Sequence, residues 1–306
     1  WMVSAAALTN QGHLEQAQAL VEKVLKAVNG VRGSQRVEAL ALNNLGLIER
    51  DMGQHATAEK QLRRSIRLLE KYSSEKDPLL VTVLNNLALV YQDQGQPGRS
   101  ERHQRRALKL LKESKQPSMF DKATTLNALG VSLLMQNRQR EGMEILEQAL
   151  AVWTILPESR EVLKSLAACR LNLAAAHASA GLWKEAAQVQ GTAMVLLDQL
   201  MPHSHPEYVK ALAIQARILA GTGEHTAAEA CLRRAVSVVN EHRDGDPLLR
   251  GRVLAQYADL LLLLGRKQEA KEYSRESREA LTVASRTAFT RNTVDYSDLV
   301  RESGKR

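Results

Sequence analysis

The sequence predicts an all-α chain built from about seven stacked helical hairpins, and three observations carry that prediction. The stretch "LNNLGLIERDMGQHATAEKQLRRSI", Leu42 to Ile66, returns almost as a copy 42 residues later as "LNNLALVYQDQGQPGRSERHQRRAL", Leu84 to Leu108. A turn residue, glycine or once asparagine, recurs at nearly the same step along the chain. The composition is 44% hydrophobic but only 4% aromatic, and Ala, Leu, Glu, Gln, Lys and Arg dominate it. That is the usage of long helices rather than of one large core.

The turn residues align at Gly12, Gly53, Gly95, Asn137, Gly181, Gly223 and Gly265, with steps of 41, 42, 42, 44, 42 and 42 residues. Each ends one apolar-periodic helix and is soon followed by another. Glycine suits a left-handed position after a helix end, since the missing Cβ removes the steric penalty there.

Three columns of small residues accompany the anchors. Seven residues before them stand Ala5, Gly46, Ala88, Gly130, Ala174, Ala216 and Ala258. Five after stand Ala17, Ala58, Ser100, Gly142, Ala186, Ala228 and Ala270; twelve after stand Val24, Ser65, Ala107, Ala149, Ala193, Ala235 and Ser277. Small residues at these points let helices approach closely where they cross, while leucines around them supply the buried stripe.

The joints between hairpins carry their own signal. Asp77-Pro78, Gln116-Pro117, His205-Pro206 and Asp246-Pro247 each precede a first helix. Proline suits the first helical position, where its absent N–H is not missed, and aspartate suits the N-cap before it. Pro157 marks another joint, and Gly30 to Ser34 form the first.

A helix–turn–helix unit with small residues in these columns resembles the tetratricopeptide repeat. With "LNNLG" or "LNNLA" in the first helix and "RRAL" or "RRAV" in the second, the unit is similar to the 42-residue kinesin light chain type. The match is best from Ala39 to Leu111 and weakest in the fifth to seventh units, which keep one asparagine or none. The resemblance implies a right-handed superhelical solenoid of about seven repeats with first helices on the concave side. It would form a single domain over residues 1–289, followed by a tail at 290–306.

The resemblance also implies which residues face the groove: those thirteen, ten, six and three before each turn, one stripe of a helix by the 3.6 period. In the second unit they are Leu40, Asn43, Leu47 and Arg50; in the third, Thr82, Asn85, Leu89 and Gln92; in the fourth, Thr124, Asn127, Val131 and Leu134. Successive asparagines could clamp the backbone of an extended peptide, since each amide carries both a donor and an acceptor. The same amides, or the adjacent Asn44, Asn86 and Asn172, would serve equally to bond a neighbouring helix. Toward the C-terminus the stripe reads Lys210, Ala213, Arg217 and Ala220, then Arg252, Ala255, Asp259 and Leu262. Its cations suit an acidic peptide or a free carboxylate, or form an ordinary solvated helix face.

The expected function is a non-enzymatic protein-interaction scaffold that takes a linear peptide in this cleft. A regulatory or sensor arm of a larger signalling or transcription protein is the alternative. Direct nucleic-acid binding rests only on the net charge of +8 and on the arginine pairs Arg63-Arg64, Arg105-Arg106 and Arg233-Arg234. Glutamates stand within helical reach of those pairs, and no aromatics interleave for base stacking. "AGTGEH", Ala220 to His225, ends a helix and follows no strand, so it is not a phosphate loop. His203 and His205 lack the helical spacing of a zinc site, and no nucleophile sits in a recognisable elbow. No catalytic residue, metal or cofactor is therefore expected.

The longest apolar run, "LLLLLG" at Leu260 to Gly265, is far too short to cross a bilayer. Cys169 and Cys231, far apart and without CxxC spacing, read as apolar fillers that fit a reducing compartment such as the cytoplasm. In the tail, "VDYSDL" carries acidic groups that could occupy the chain's own basic groove.

Overall fold

The structure, a computed structural model, describes residues 1–73, 77–241 and 246–287. The expected tail at 290–306 lies outside the described residues. Fourteen helices and no strand occur among the described residues. They fall into two compact units, one carrying Trp1–Gln136 and the other beginning at Asn137.

The first unit holds α1 (Met2–Asn10), α2 (Leu14–Val28), α3 (Gln35–Asp51), α4 (His55–Tyr72), α5 (Pro78–Asp93), α6 (Pro97–Glu113) and α7 (Met119–Met135). The second holds α8 (Gln139–Thr154), α9 (Arg160–Ser179), α10 (Trp183–Leu200), α11 (Pro206–Gly221), α12 (His225–Glu241), α13 (Pro247–Leu263) and α14 (Lys267–Thr287). Odd-numbered helices are the first helices of the repeats and even-numbered ones the second. Within each unit every helix packs chiefly on its sequence neighbours, so the cores are local. One joins α1, α2 and α3 through Ala5, Val21 and Leu45, and another joins α4, α5 and α6 through Leu62, Leu84 and Leu111. In the second unit Leu212, Leu232 and Leu254 tie α11, α12 and α13 together.

All seven anchors adopt positive φ, from 60° at Asn137 to 87° at Gly223. At the six glycines the next residue's N–H bonds a carbonyl five residues back, as in Gln54 N–H to Glu49 O at 2.8 Å. That 6→1 bond, which closes the last turn, needs the left-handed residue between.

The small columns are buried throughout, with Ala17, Ala58, Ala88, Ala107 and Ala174 all at 0% exposure. At Gly46 an added Cβ would come within 2.7 Å of Leu62 Cγ. Where the last column carries serine, its hydroxyl donates to a carbonyl of the first helix: Ser65 to Ala39 O and Ser277 to Gly251 O, both at 2.7 Å.

The joints behave as expected with one exception. Asp77 accepts from Leu79 N–H, Asp246 from Leu248 N–H, and His205 from Glu207 N–H through Nδ1, each with proline opening the helix. Pro117 does not open α7. Ser118 is the N-cap, taking Asp121 N–H at 3.1 Å, so Pro117 stands outside the helix. The cap with the better side-chain acceptor sets the boundary. Likewise Ser159, two residues beyond Pro157, caps α9. No described helix is long and apolar enough to cross a membrane.

Candidate functional site

The stripe that sequence reasoning selects lies on the first helices, and its members divide by depth. In the first unit Asn43 (3% exposed), Arg50 (1%), Asn85 (7%), Gln92 (5%), Val131 (5%) and Leu134 (1%) are buried. Leu47, Thr82, Leu89, Thr124 and Asn127 are half-buried, and Leu40 is exposed. The stripe therefore presents leucine, threonine and Asn127 outward, with its other long polar groups beneath.

Those polar groups bridge consecutive first helices. Asn86 Nδ2 on α5 donates to Asn43 Oδ1 on α3 at 2.8 Å, while Asn43 Nδ2 donates to Asn44 Oδ1 at 3.2 Å. Two turns on, Arg50 Nε reaches Asp93 Oδ2 at 2.5 Å. Between α5 and α7, Asn85 Nδ2 donates to Thr125 Oγ1 at 2.8 Å, and Gln92 Nε2 to Ser132 Oγ at 2.8 Å and Ala128 O at 3.0 Å. One atom of each amide finds its partner roughly one repeat away, Asn43 Oδ1 accepting from Asn86 and Asn85 Nδ2 donating to Thr125. The sequence allows both uses of these amides and does not single out Asp93, Thr125 or Ser132 as partners; the signal they carry is a spacing of about one repeat from a polar stripe residue.

In the second unit Arg217 Nη2 on α11 donates to Ala175 O at 2.5 Å and Ser179 Oγ at 3.1 Å, at the C-terminal end of α9. The guanidinium thus meets the negative end of that helix dipole. Gln256 Nε2 on α13 donates to Ala213 O on α11 at 2.8 Å. Lys210, its side chain 12% exposed, pairs with Glu207 at 3.1 Å. Arg252 and Ala255 are half-buried, whereas Asp259 and Leu262 are exposed, Leu262 at 52%.

The arginine pairs lie on the exposed side of the second helices. Arg63 pairs with Glu59, Arg64 with Glu38, Arg105 with Glu101, Arg106 with Glu70 and Arg233 with Glu229. Arg234 bonds the His203 ring. Among the described residues no group of three or more His, Cys, Asp or Glu side chains could hold a metal ion. Burial pushes the Cys169 thiol up to about 12, and Cys231 is raised for the same reason.

Residues 2–71, 37–113 and 79–155 match the tetratricopeptide repeat family, and residues 209–234 match a second description of the same repeat. No curated protein matches the sequence closely enough to count as a relative. Solved structures share the fold at low identity. Aspartyl phosphate phosphatase F from Bacillus subtilis is 12% identical, covering 96% of this chain and 72% of that one with a TM-score of 0.72. A signal transduction ATPase with a tetratricopeptide repeat sensor, from Pyrococcus horikoshii, is 13% identical at TM-score 0.66. That alignment covers 94% of this chain but 43% of the ATPase. Kinesin light chain repeats from P. anserina are 17% identical, covering 69% of this chain and 99% of theirs at TM-score 0.55.

Proposed function

The chain belongs to the tetratricopeptide repeat family, and we propose that it is a non-enzymatic protein-interaction scaffold whose first helices take a linear segment of a partner protein. The carrying observation is the layering of the stripe. Polar bridges between first helices lie buried or half-buried, and over them Leu40, Leu47, Thr82, Leu89 and Asn127 remain accessible in whole or part. Such a surface is held in register before any ligand arrives, so binding orders little of the protein.

In this reading Leu47 and Leu89 grip an apolar side chain of the segment, and Asn127 reads its backbone. Asn43, Arg50, Asn85 and Gln92 hold the helices that carry them, with Val131 beneath. In the second unit Lys210, Arg217, Arg252 and Asp259 line the matching face, and its cations suit a segment with acidic residues. Selection of displayed peptides on the whole chain tests the proposal. Peptides so obtained should lose binding to Leu47→Glu and Leu89→Glu chains and keep it with Lys23→Glu, on a second helix. Equal binding to all of them would place the partner elsewhere.

A second reading is favoured by the likeness to the sensor-bearing ATPase, in which the repeats are one part of a longer protein. In that case the scaffold is a sensor arm, and its ligand controls an attached domain. The open reading frame decides: a nucleotide-binding or DNA-binding domain in the same chain supports the arm, and its absence removes it.

A further inference from the structure

Counted from each turn anchor, the residues four, seven and eleven positions on form one stripe of the second helix, by the same period. In the third repeat this stripe is Arg99, Arg102 and Arg106; in the seventh it is Glu269, Glu272 and Glu276. The second and fourth repeats carry Thr57, Lys60 and Arg64, and Glu141, Glu144 and Gln148. The third repeat alone is cationic at all three positions.

In the seventh repeat two of the three stripe carboxylates have cationic partners, Glu269 with Arg266 and Glu276 with Arg250. In the third only Arg106 of the three cations has a carboxylate partner. Helices α4, α5 and α6 enclose a depression of about 420 Å³ lined by Arg63, Tyr91, Arg99, Arg102, His103 and Arg106. Glu59 takes Arg63 at 2.9 Å and Glu70 takes Arg106 at 2.5 Å. Neither Arg99 nor Arg102 has a carboxylate partner among the described residues, so two positive charges stand unmatched.

The depression is held rigid from below. Tyr91 is fully buried, and its hydroxyl accepts from Arg63 Nη2 at 2.8 Å and donates to Glu59 Oε1 at 2.9 Å. His103 stacks on the Tyr91 ring, centroids 5.5 Å apart and planes 11° from parallel, and the Arg99 guanidinium lies 5.6 Å over the same ring. Burial first, and then the charges of Arg63, Arg106 and Arg102, lower the His103 pKa. A bound anion would reverse the second effect.

A single carboxylate is satisfied by one guanidinium fork, whereas a phosphate monoester brings nearly two negative charges and three acceptor oxygens. The surplus here matches the latter. A second depression of about 360 Å³ adjoins the first through the shared Arg106; Glu70, Lys109 and Glu113 stand around it, and buried Leu80 and half-buried Leu110 form its apolar floor. Free phosphate would leave that floor unused; a peptide carrying the phosphate would lay a neighbouring side chain on it. No exposed aromatic is present among the lining residues to stack a nucleic-acid base. We propose that this paired depression binds a phosphorylated serine or threonine of a partner protein, with Arg99 and Arg102 holding the phosphate and Leu80 and Leu110 the flanking residue.

Calorimetry on the whole chain tests this with acetyl-Ala-Ala-phosphoserine-Leu-Ala-amide, its serine counterpart, inorganic phosphate and a thymidine oligonucleotide. The phosphopeptide should bind at least about ten-fold more tightly than the serine peptide, the gain expected of charge-assisted forks. Arg99→Glu with Arg102→Glu, the charges of the seventh repeat, should abolish that gain, and Arg99→Gln with Arg102→Gln should reduce it. Arg67→Gln, on α4 outside the depression, should leave it intact. Phosphopeptide and serine peptide binding alike, or a gain that survives the double substitutions, would overturn the site. Inorganic phosphate binding as tightly as the peptide would overturn the assignment of a peptide carrier. An oligonucleotide that competes fully, with steep salt dependence, would show a diffuse polyanion surface instead.

Discussion

Asn86 donates its side-chain N–H to the amide oxygen of Asn43, 2.8 Å away and 43 residues earlier in the chain. The two stand in neighbouring columns of consecutive first helices, so the bond ties one repeat to the next. Replacing Asn43 by alanine strands the Asn86 donor in a half-buried setting and should cost about 1–3 kcal/mol. In a double-mutant cycle read by urea unfolding, Asn86→Ala should cost less in the Asn43→Ala background than alone. Strict additivity would mean that the bond does not hold the repeats.

Two glycines inside helices should respond with opposite sign. A Cβ at Gly46 would meet Leu62 Cγ at 2.7 Å and Ala58 O at 3.3 Å, whereas one at Gly191 meets nothing within 4 Å. Leu62 is fully buried and has little room to yield. Gly46→Ala should therefore destabilise by about 1–3 kcal/mol through overpacking. Gly191→Ala should stabilise by about 0.5–1 kcal/mol through helix propensity. Thermal unfolding of the two variants checks both.

Asp77 joins the second repeat to the third, accepting from Arg36 Nε at 2.9 Å, Ser73 Oγ at 2.9 Å and Leu79 N–H at 3.0 Å. Burial works against its carboxylate, but the bonds from Arg36, Leu79 and Ser73 together hold its pKa below the ordinary value. The folded form thus binds this proton less readily than the unfolded one. The resulting stability is fully present above the ordinary carboxylate pKa and is lost as pH falls through the lower folded value. Asp77→Asn should be less stable near neutral pH and lose less on acidification than the parent. Parallel acid-unfolding curves would contradict the assignment.

The two thiols should differ in reactivity. Cys169 is wholly buried, and burial pushes its pKa up to about 12, while Cys231 is only half-buried. A thiolate is the reactive form, so a maleimide at neutral pH should label Cys231 first and Cys169 only on unfolding. Mass spectrometry of the labelled protein reads the order. Equal labelling of both in the folded chain would show that α9 opens locally.

Much of the fold is legible in the sequence because its constraints act on single residues. A left-handed turn at Gly53 or Asn137 needs a particular side chain or none, and the helix crossing at Ala58 or Ala107 tolerates nothing large. Such demands leave a mark at every repeat. The candidate site is less legible. An asparagine ten residues before the turn can face a ligand or a neighbouring helix, and its own identity does not say which. For Asn85 the partner is Thr125, 40 residues away, and for Gln92 it is Ser132. The cationic stripe of Arg99, Arg102 and Arg106 is visible in the sequence, but its meeting with Arg63 depends on how α6 packs beside α4 and α5. Pro117 shows the limit at a boundary, where proline and serine compete and the serine cap wins.

The outward side of the first helices is the working surface we propose. A peptide selected on the whole chain and carrying a photo-activated cross-linker gives the most direct test. Cross-links read by mass spectrometry should fall on α3, α5 and α7, near Leu47, Leu89 and Asn127. Cross-links confined to the second helices α4 and α6 would contradict the claim.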